Sequence, residues 1–113
     1  MDCIFCKIIA GIIPSEGVYK DDKVIAFRDI SPMAPVHILI IPREHIPTLN
    51  DITEQQSPIL GHMIQVAKQL ARQQGIATKG YRIVINTGPQ GGQLVQHLHM
   101  HLLGGRELSG GLG

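Results

Sequence analysis

Three spacings of apolar side chains divide this chain into elements. Between Thr53 and Gly75 they recur at positions 59/60, 63/64, 66/67 and 70/71, the 3.6-residue stripe of an amphipathic helix. Thr53 and Gln56 resemble a capping box, but Pro58 would then lie inside the helix. Ser57 as N-cap with Pro58 at the first helical position avoids that cost. This predicts a loose first turn, a firm helix over 58–74 and a stop at Gly75. Residues 36–41 are apolar except for His37, the pattern of a central strand buried on both faces, and Pro42 ends the run. Residues 18–20 and 23–28, joined through Asp21 and Asp22, read as a β-hairpin with an acidic turn. Residues 81–86 and 94–103 read as two further strands around a glycine-rich loop at 87–92. Residues 3–10 suit one short helical turn before Gly11, 14–17 a turn, and 30–35 a loop punctuated by Pro32 and Pro35. The expected fold class is α+β, a five-stranded, mostly antiparallel sheet with one long helix and one short N-terminal helix. One helix covers one sheet face, and a second copy of the chain is the simplest cover for the rest. No repeat or linker interrupts the chain, so residues 1–113 are expected to form a single domain with a glycine-rich tail at 104–113 that is mobile or docked elsewhere.

Composition narrows the function. At 113 residues the chain can build one core. Charged residues make up 17%, and the net charge is +1 with no basic block, which argues against a general nucleic-acid binder. Aromatic residues, at 4%, supply no base-stacking platform. The apolar runs are too short to span a bilayer, and no signal peptide is expected at the N-terminus. Two cysteines three apart make no disulfide framework, so a reducing, cytoplasmic setting is expected. Six histidines in so small a chain require an explanation.

Three of them stand at alternate positions, His97, His99 and His101, separated by Leu98 and Met100 and followed by Leu102. On a strand the histidines line one face and the apolar residues pack under the helix. Three readings are open. The row can be a solvated sheet face. It can be a metal site, since three His plus water is a catalytic zinc arrangement. Or the central histidine can be a nucleophile, because neutral imidazole attacks phosphorus when its other nitrogen is held by an acceptor.

The run His97-x-His99-x-His101-x-x, followed by Gly104-Gly105-Arg106, resembles the signature of the histidine-triad (HIT) superfamily. Asn86-Thr87-Gly88 and Gly91-Gly92-Gln93 resemble its phosphate loop. Asp29-Ile30-Ser31-Pro32-x-Ala34-Pro35-x-His37 and Ile41-Pro42 resemble its nucleoside-binding half. The Gly-Gly-Arg ending is similar to the Hint branch, the purine-nucleoside phosphoramidases. The resemblance implies a HIT-like fold and a hydrolase acting on nucleoside 5′-phosphoramidates or related adenylates through a nucleotidyl-histidine. It implies His99 as nucleophile, His101 against the phosphoryl oxygens, and His97 and His37 in a supporting network. Asn86 and the backbone N–H groups of Gly92, Gln93 and Leu94 would be phosphoryl donors. Asp29 would accept from ribose hydroxyls, and Ile30, Phe5 and Phe27 would form the slot for the base. Taken alone, Phe5 and Phe27 read as ordinary core, Asp29 as a turn residue and His37 as a core histidine.

Cys3-x-x-Cys6 at the start and His45 after Ile41-Pro42 are similar to the structural zinc set of some bacterial family members, which implies Cys3, Cys6, His45 and His97 as ligands and no metal in the chemistry itself. His62 on the helix reads as a surface residue. The implied partners are a purine nucleotide or phosphoramidate substrate and a second copy of the chain, with no nucleic acid and no membrane. Two departures from the branch stand out. Leu94 replaces a small hydroxyl residue near the leaving group, and the chain lacks the branch's Trp-Pro-Pro-Gly-like ending. A non-catalytic nucleotide-binding module and a zinc-dependent hydrolase using all three strand histidines are the alternative functions.

Overall fold

The structure is a computed structural model and describes residues 3–111. Met1, Asp2, Leu112 and Gly113, the two ends of the expected domain and tail, lie outside the described residues. Strands β1 (Gly17–Lys20), β2 (Val24–Arg28), β3 (Val36–Pro42), β4 (Tyr81–Val84) and β5 (Met100–Gly104) form one sheet in the order β1-β2-β3-β5-β4. Every pairing is antiparallel. Helix α1 (Ile4–Ile9) opens the described chain and α2 (Pro58–Gln73) links β3 to β4. The expected α+β class, with one long and one short N-terminal helix, is the fold that forms.

The register sorts the side chains. Phe27 opposes Leu39, which opposes His101; Ala26 opposes Ile40, which opposes Met100. Directly opposed residues share a face. Val36, Ile38 and Ile40 of β3 therefore join Met100 and Leu102 against Met63, Val66, Ala67, Leu70 and Ala71 of α2. The other face carries His37, Leu39 and Ile41. There Phe5 of α1 packs with Phe27, Leu39 and Ile41, flanked by Cys3, Ile8, Ile9 and Val95. The chain's own N-terminal helix thus covers part of a face for which a second copy is the simplest expected cover.

Both helix-start signals are used, in series. Thr53 and Gln56 exchange bonds as a capping box, Thr53 N–H to Gln56 Oε1 at 3.0 Å and Gln56 N–H to Thr53 Oγ1 at 3.3 Å, and shape the turn before α2. Ser57 and Pro58 then occupy the N-cap and first helical positions, but the Ser57 hydroxyl donates back to the Glu54 carbonyl instead of capping. Gly75, at φ +75°, ends the helix while Ile76 N–H bonds the Ala71 carbonyl.

Strand ends differ from expectation by one residue at the starts of β1 and β2 and at the end of β5, and three other ends differ for a clear physical reason. β5 starts at Met100, not Leu94, because the preceding segment bonds elsewhere: Leu98 N–H to the Ile46 carbonyl at 2.7 Å, and Gln93 Nε2 to the carbonyls of Pro47 and Val95. β4 stops at Val84, not Asn86, since Val84 already opposes His101 near the start of β5. β3 includes Pro42, which opposes Val24 at the strand's last position, where a missing N–H is tolerated. Over its described residues the tail is docked: the Arg106 guanidinium donates to the Met33 carbonyl at 2.8 Å and that of Arg82 to the Ser109 carbonyl.

Candidate functional site

His97 and His99 precede β5 and only His101 lies on it, yet the alternation survives. Leu98, Met100 and Leu102 are fully buried on the α2 side. Each stabilises that arrangement by about 1.5–3 kcal/mol. A one-residue slip would put imidazoles into this core, so burial on one side fixes the histidines on the other. Phe5 meets both His97 and His99 edge-on, with ring centroids 5.9 and 5.2 Å apart. The His101 ring lies 5.0 Å from that of His99 and 5.2 Å from that of His37.

Hydrogen bonds assign the ring protons. His99 Nδ1 lies 2.7 Å from the His97 carbonyl, which can only accept, so Nδ1 carries the hydrogen and Nε2 keeps a lone pair. The Met33 N–H donates to His37 Nδ1 at 3.1 Å, so His37 carries its hydrogen on Nε2. That N–H points at His101 Nδ1, 2.9 Å away, so the His101 hydrogen sits on Nε2. These bonds leave His99 Nε2 with a free lone pair and His101 Nε2 with a free donor. Burial pushes His101 down to about 4, with nearby His99 and His37 adding and Asp29 opposing. Burial also lowers His37 against the pull of Asp29, so the 3.5 Å contact between them is a polar contact at neutral pH, not an ion pair.

Asp29, His37 and His101 stand close enough to suggest a metal site. The Met33 N–H argues against it: it occupies His37 Nδ1, which keeps the ring hydrogen on Nε2, the nitrogen that faces Asp29 and His101 and would have to ligate. The three strand histidines do not converge on one point either. His97 turns away, donating from Nε2 to the Pro42 carbonyl at 2.8 Å and aiming Nδ1 at Cys3 Sγ (3.3 Å), Cys6 Sγ (3.6 Å) and His45 Nδ1 (3.2 Å). His45 Nδ1 is 3.2 Å from Cys6 Sγ, and all four donor atoms lie within 4.8 Å of one another. Zinc bonds of about 2.0–2.3 Å give tetrahedral edges of roughly 3.3–3.8 Å. The spacings fit that shape, and the Pro42 bond fixes the tautomer a ligand needs.

The loop between β4 and β5 is closed on itself. Gly88 N–H bonds Gln93 Oε1, Gln93 N–H bonds the Gly88 carbonyl, Gly92 N–H bonds the Pro89 carbonyl, and Asn86 Nδ2 donates to the Gly91 carbonyl at 2.7 Å. Two of the expected phosphoryl donors, the amides of Gly92 and Gln93, are therefore already engaged. The Leu94 amide and the second Asn86 N–H remain. Asp29 Oδ1 accepts from Ser31 N–H at 2.7 Å, which orients the carboxylate beside His37. Phe5 and Phe27 are buried together, whereas Ile30 is 95% exposed and stands apart from them. His62 is no idle surface residue: its Nε2 meets Asp21 Oδ2 at 2.7 Å and ties α2 to the β1–β2 turn. The sequence carries little signal of the Pro42 carbonyl or the Met33 amide, backbone groups that set two of the tautomers.

An α+β fold that holds one buried imidazole with an unengaged lone pair, beside a second imidazole with a free donor, defines a class of proteins suited to nucleophilic attack. Residues 10–108 match the HIT domain family, and the chain belongs to it. It is 59% identical over 107 residues to the purine nucleoside phosphoramidase of Escherichia coli (strain K12), covering 95% of this chain and 90% of that one. It is 53% identical over 110 residues to the 14 kDa zinc-binding protein of Brassica juncea, covering 96% of each. The crystal structure of a HIT family hydrolase from Legionella pneumophila Philadelphia 1 superposes with a TM-score of 0.96 at 47% identity, covering 99% of this chain and 100% of that one.

Proposed function

We propose that this protein is a hydrolase that cleaves nucleoside 5′-phosphoramidates, or related adenylates, through a covalent nucleotidyl-histidine. The observation that carries the reading is the free Nε2 of His99, held in its tautomer by the His97 carbonyl. The name of the Escherichia coli relative, purine nucleoside phosphoramidase, supports the substrate class.

In the first step His99 Nε2 bonds the α-phosphorus and the P–N bond breaks. The leaving nitrogen takes a proton from solvent and departs as the amine. The ring then holds phosphorus on Nε2 and hydrogen on Nδ1, and the His97 carbonyl stabilises its positive charge. In the second step water bonds phosphorus, the N–P bond breaks, and a proton returns to solvent, releasing the nucleoside monophosphate. His101 donates from Nε2 to a phosphoryl oxygen, with His37 holding its ring. Asn86 and the Leu94 amide add donors at the loop that Gly92 and Gln93 shape. Asp29 accepts from the ribose hydroxyls, and Phe5 and Phe27 back the base, with Ile30 at the rim.

Zinc at Cys3, Cys6, His45 and His97 is structural in this reading: it cross-links α1 to the segment before β5. The Brassica juncea relative's name, zinc-binding protein, and the donor spacing support it. Two copies pair, and the half-exposed edge strand β4 supports pairing through the sheet.

Rapid quench of the enzyme with an adenosine 5′-phosphoramidate tests the reading by mass spectrometry. A nucleotidyl adduct on His99 is expected, and His99→Ala should abolish it and lower turnover by about 10⁴-fold or more. Turnover that survives His99→Ala removes the nucleophile, and tight nucleotide binding with no turnover favours the non-catalytic module.

A further inference from the structure

The Met33 N–H reaches His37 from a largely exposed loop. Ile30, Ser31, Pro32 and Met33 are exposed in succession. Ser31 N–H is held by Asp29 Oδ1 at 2.7 Å and Met33 N–H by His37 Nδ1 at 3.1 Å, both partners close by in sequence. The remote partner is Arg106. Its guanidinium donates to the Met33 carbonyl at 2.8 Å, across 73 positions, and to the Glu107 carbonyl at 2.9 Å. Gly105 brings it there. With φ at +93° and a Cβ that would come 2.9 Å from Pro35 Cβ, only glycine lets the exit from β5 lie against the loop. Pro32 restricts the chain before Met33, and the guanidinium holds the carbonyl after it. The Met33 amide is therefore aimed from both sides.

That aim decides two tautomers. With the Met33 N–H on Nδ1, His37 keeps its hydrogen on Nε2 and His101 donates from its own Nε2. Should Met33 swing away, His37 is free to carry its hydrogen on Nδ1 instead. Its Nε2 lone pair would then face that of His101 Nδ1, 2.9 Å away. Two lone pairs repel at that distance, so His101 must move its hydrogen to Nδ1 as well. Its Nε2 becomes an acceptor, which repels a phosphoryl oxygen. Asp29 Oδ2, 3.5 Å from His37 Nε2, sits at the outer limit of a hydrogen bond and is a weak hold on the original hydrogen.

We infer that Arg106 is a positioning residue: it holds the 30–35 loop so that Met33 keeps His37, and His37 keeps His101, in the tautomer that donates to the phosphoryl group. The step to phosphoryl rests on the phosphoramidase reading above; the hold on the two rings does not.

The test pairs Arg106→Met, which keeps an apolar stem and removes the donors, with Arg106→Lys, which restores a charged donor. Heteronuclear NMR of the imidazole nitrogens in the free protein reads the tautomers, and turnover of an adenosine 5′-phosphoramidate reads the consequence. The parent protein should carry hydrogen on Nε2 of both His37 and His101. Arg106→Met should move both rings toward Nδ1–H and lower kcat about tenfold with little change in KM, the mark of a donor that acts in the transition state. Arg106→Lys should restore most of both readouts. Arg106 is exposed, so neither replacement unfolds the chain. Parent-like tautomers in Arg106→Met overturn the hold, and shifted tautomers with a parent-like kcat overturn its part in the reaction. Absence of turnover in the parent protein overturns the phosphoramidase reading, and the imidazole spectra then still decide the hold.

Discussion

His101 shows what burial does to a single imidazole. Its Nδ1 accepts from His37 and its surroundings push it down to about 4, so it stays neutral across the physiological range. The ordinary histidine value is about 6.5. An unfolded chain therefore takes up a proton at His101 before the folded one does. The contribution of the neutral ring to stability is fully present above about pH 6.5 and is lost as pH falls toward 4. His37, lowered by burial in the same direction, adds to the effect. Urea unfolding between pH 7.5 and 4.5 should show the midpoint falling over this window, with His101→Gln flattening the slope. A midpoint independent of pH in the parent protein would refute the assignment. The alternating pattern at 97–101 revealed these imidazoles from the sequence, but neither tautomer was legible there. His101 depends on Met33 and His37, which reach it only because β3 pairs with β5.

At the level of elements, the loop between β4 and β5 is the most constrained. Gly88 and Gly92 hold φ of +72° and +81°, where other residues are strained. Gly91 is constrained differently: a Cβ there would come within 2.3 Å of the Thr87 carbonyl oxygen, part of the loop's own backbone. The glycine is needed for the loop to close on itself, whatever phosphate it also meets. Gly91→Ala should break the Asn86–Gly91 contact and displace the Leu94 amide. Turnover should fall at least tenfold while the thermal midpoint moves by only a few degrees, as expected for a change confined to an exposed loop. Parent-like kinetics would show that the loop does not position the substrate. The hydrophobic periods identified β3 and α2 to within a residue or so. The segment at 94–99 reads as strand and folds as an irregular loop because Leu98 N–H bonds the Ile46 carbonyl and the Gln93 side chain before it bonds those of Pro47 and Val95.

For the whole molecule, the donor set of Cys3, Cys6, His45 and His97 ties the N-terminus to the segment before β5. Native mass spectrometry of protein purified without chelator should give the mass of two chains carrying two zinc ions. A zinc-free mass with both cysteines open to alkylation would refute the metal, and a single-chain mass would refute the pairing. The sequence by itself determined the helix stripe of α2, the buried run of β3, the hairpin around Asp21 and which residues are candidates for the chemistry. Those signals arise from backbone periods and turn preferences that act over a few neighbouring residues. Only the tertiary structure decided where each imidazole points and what holds it. The partners that orient the rings are remote, His97 meeting Cys3 across 94 positions and Pro42 across 55, and His101 meeting His37 across 64. It also decided that His97 leaves the histidine row for the cysteines, and that Leu94 stands exposed after the loop between β4 and β5.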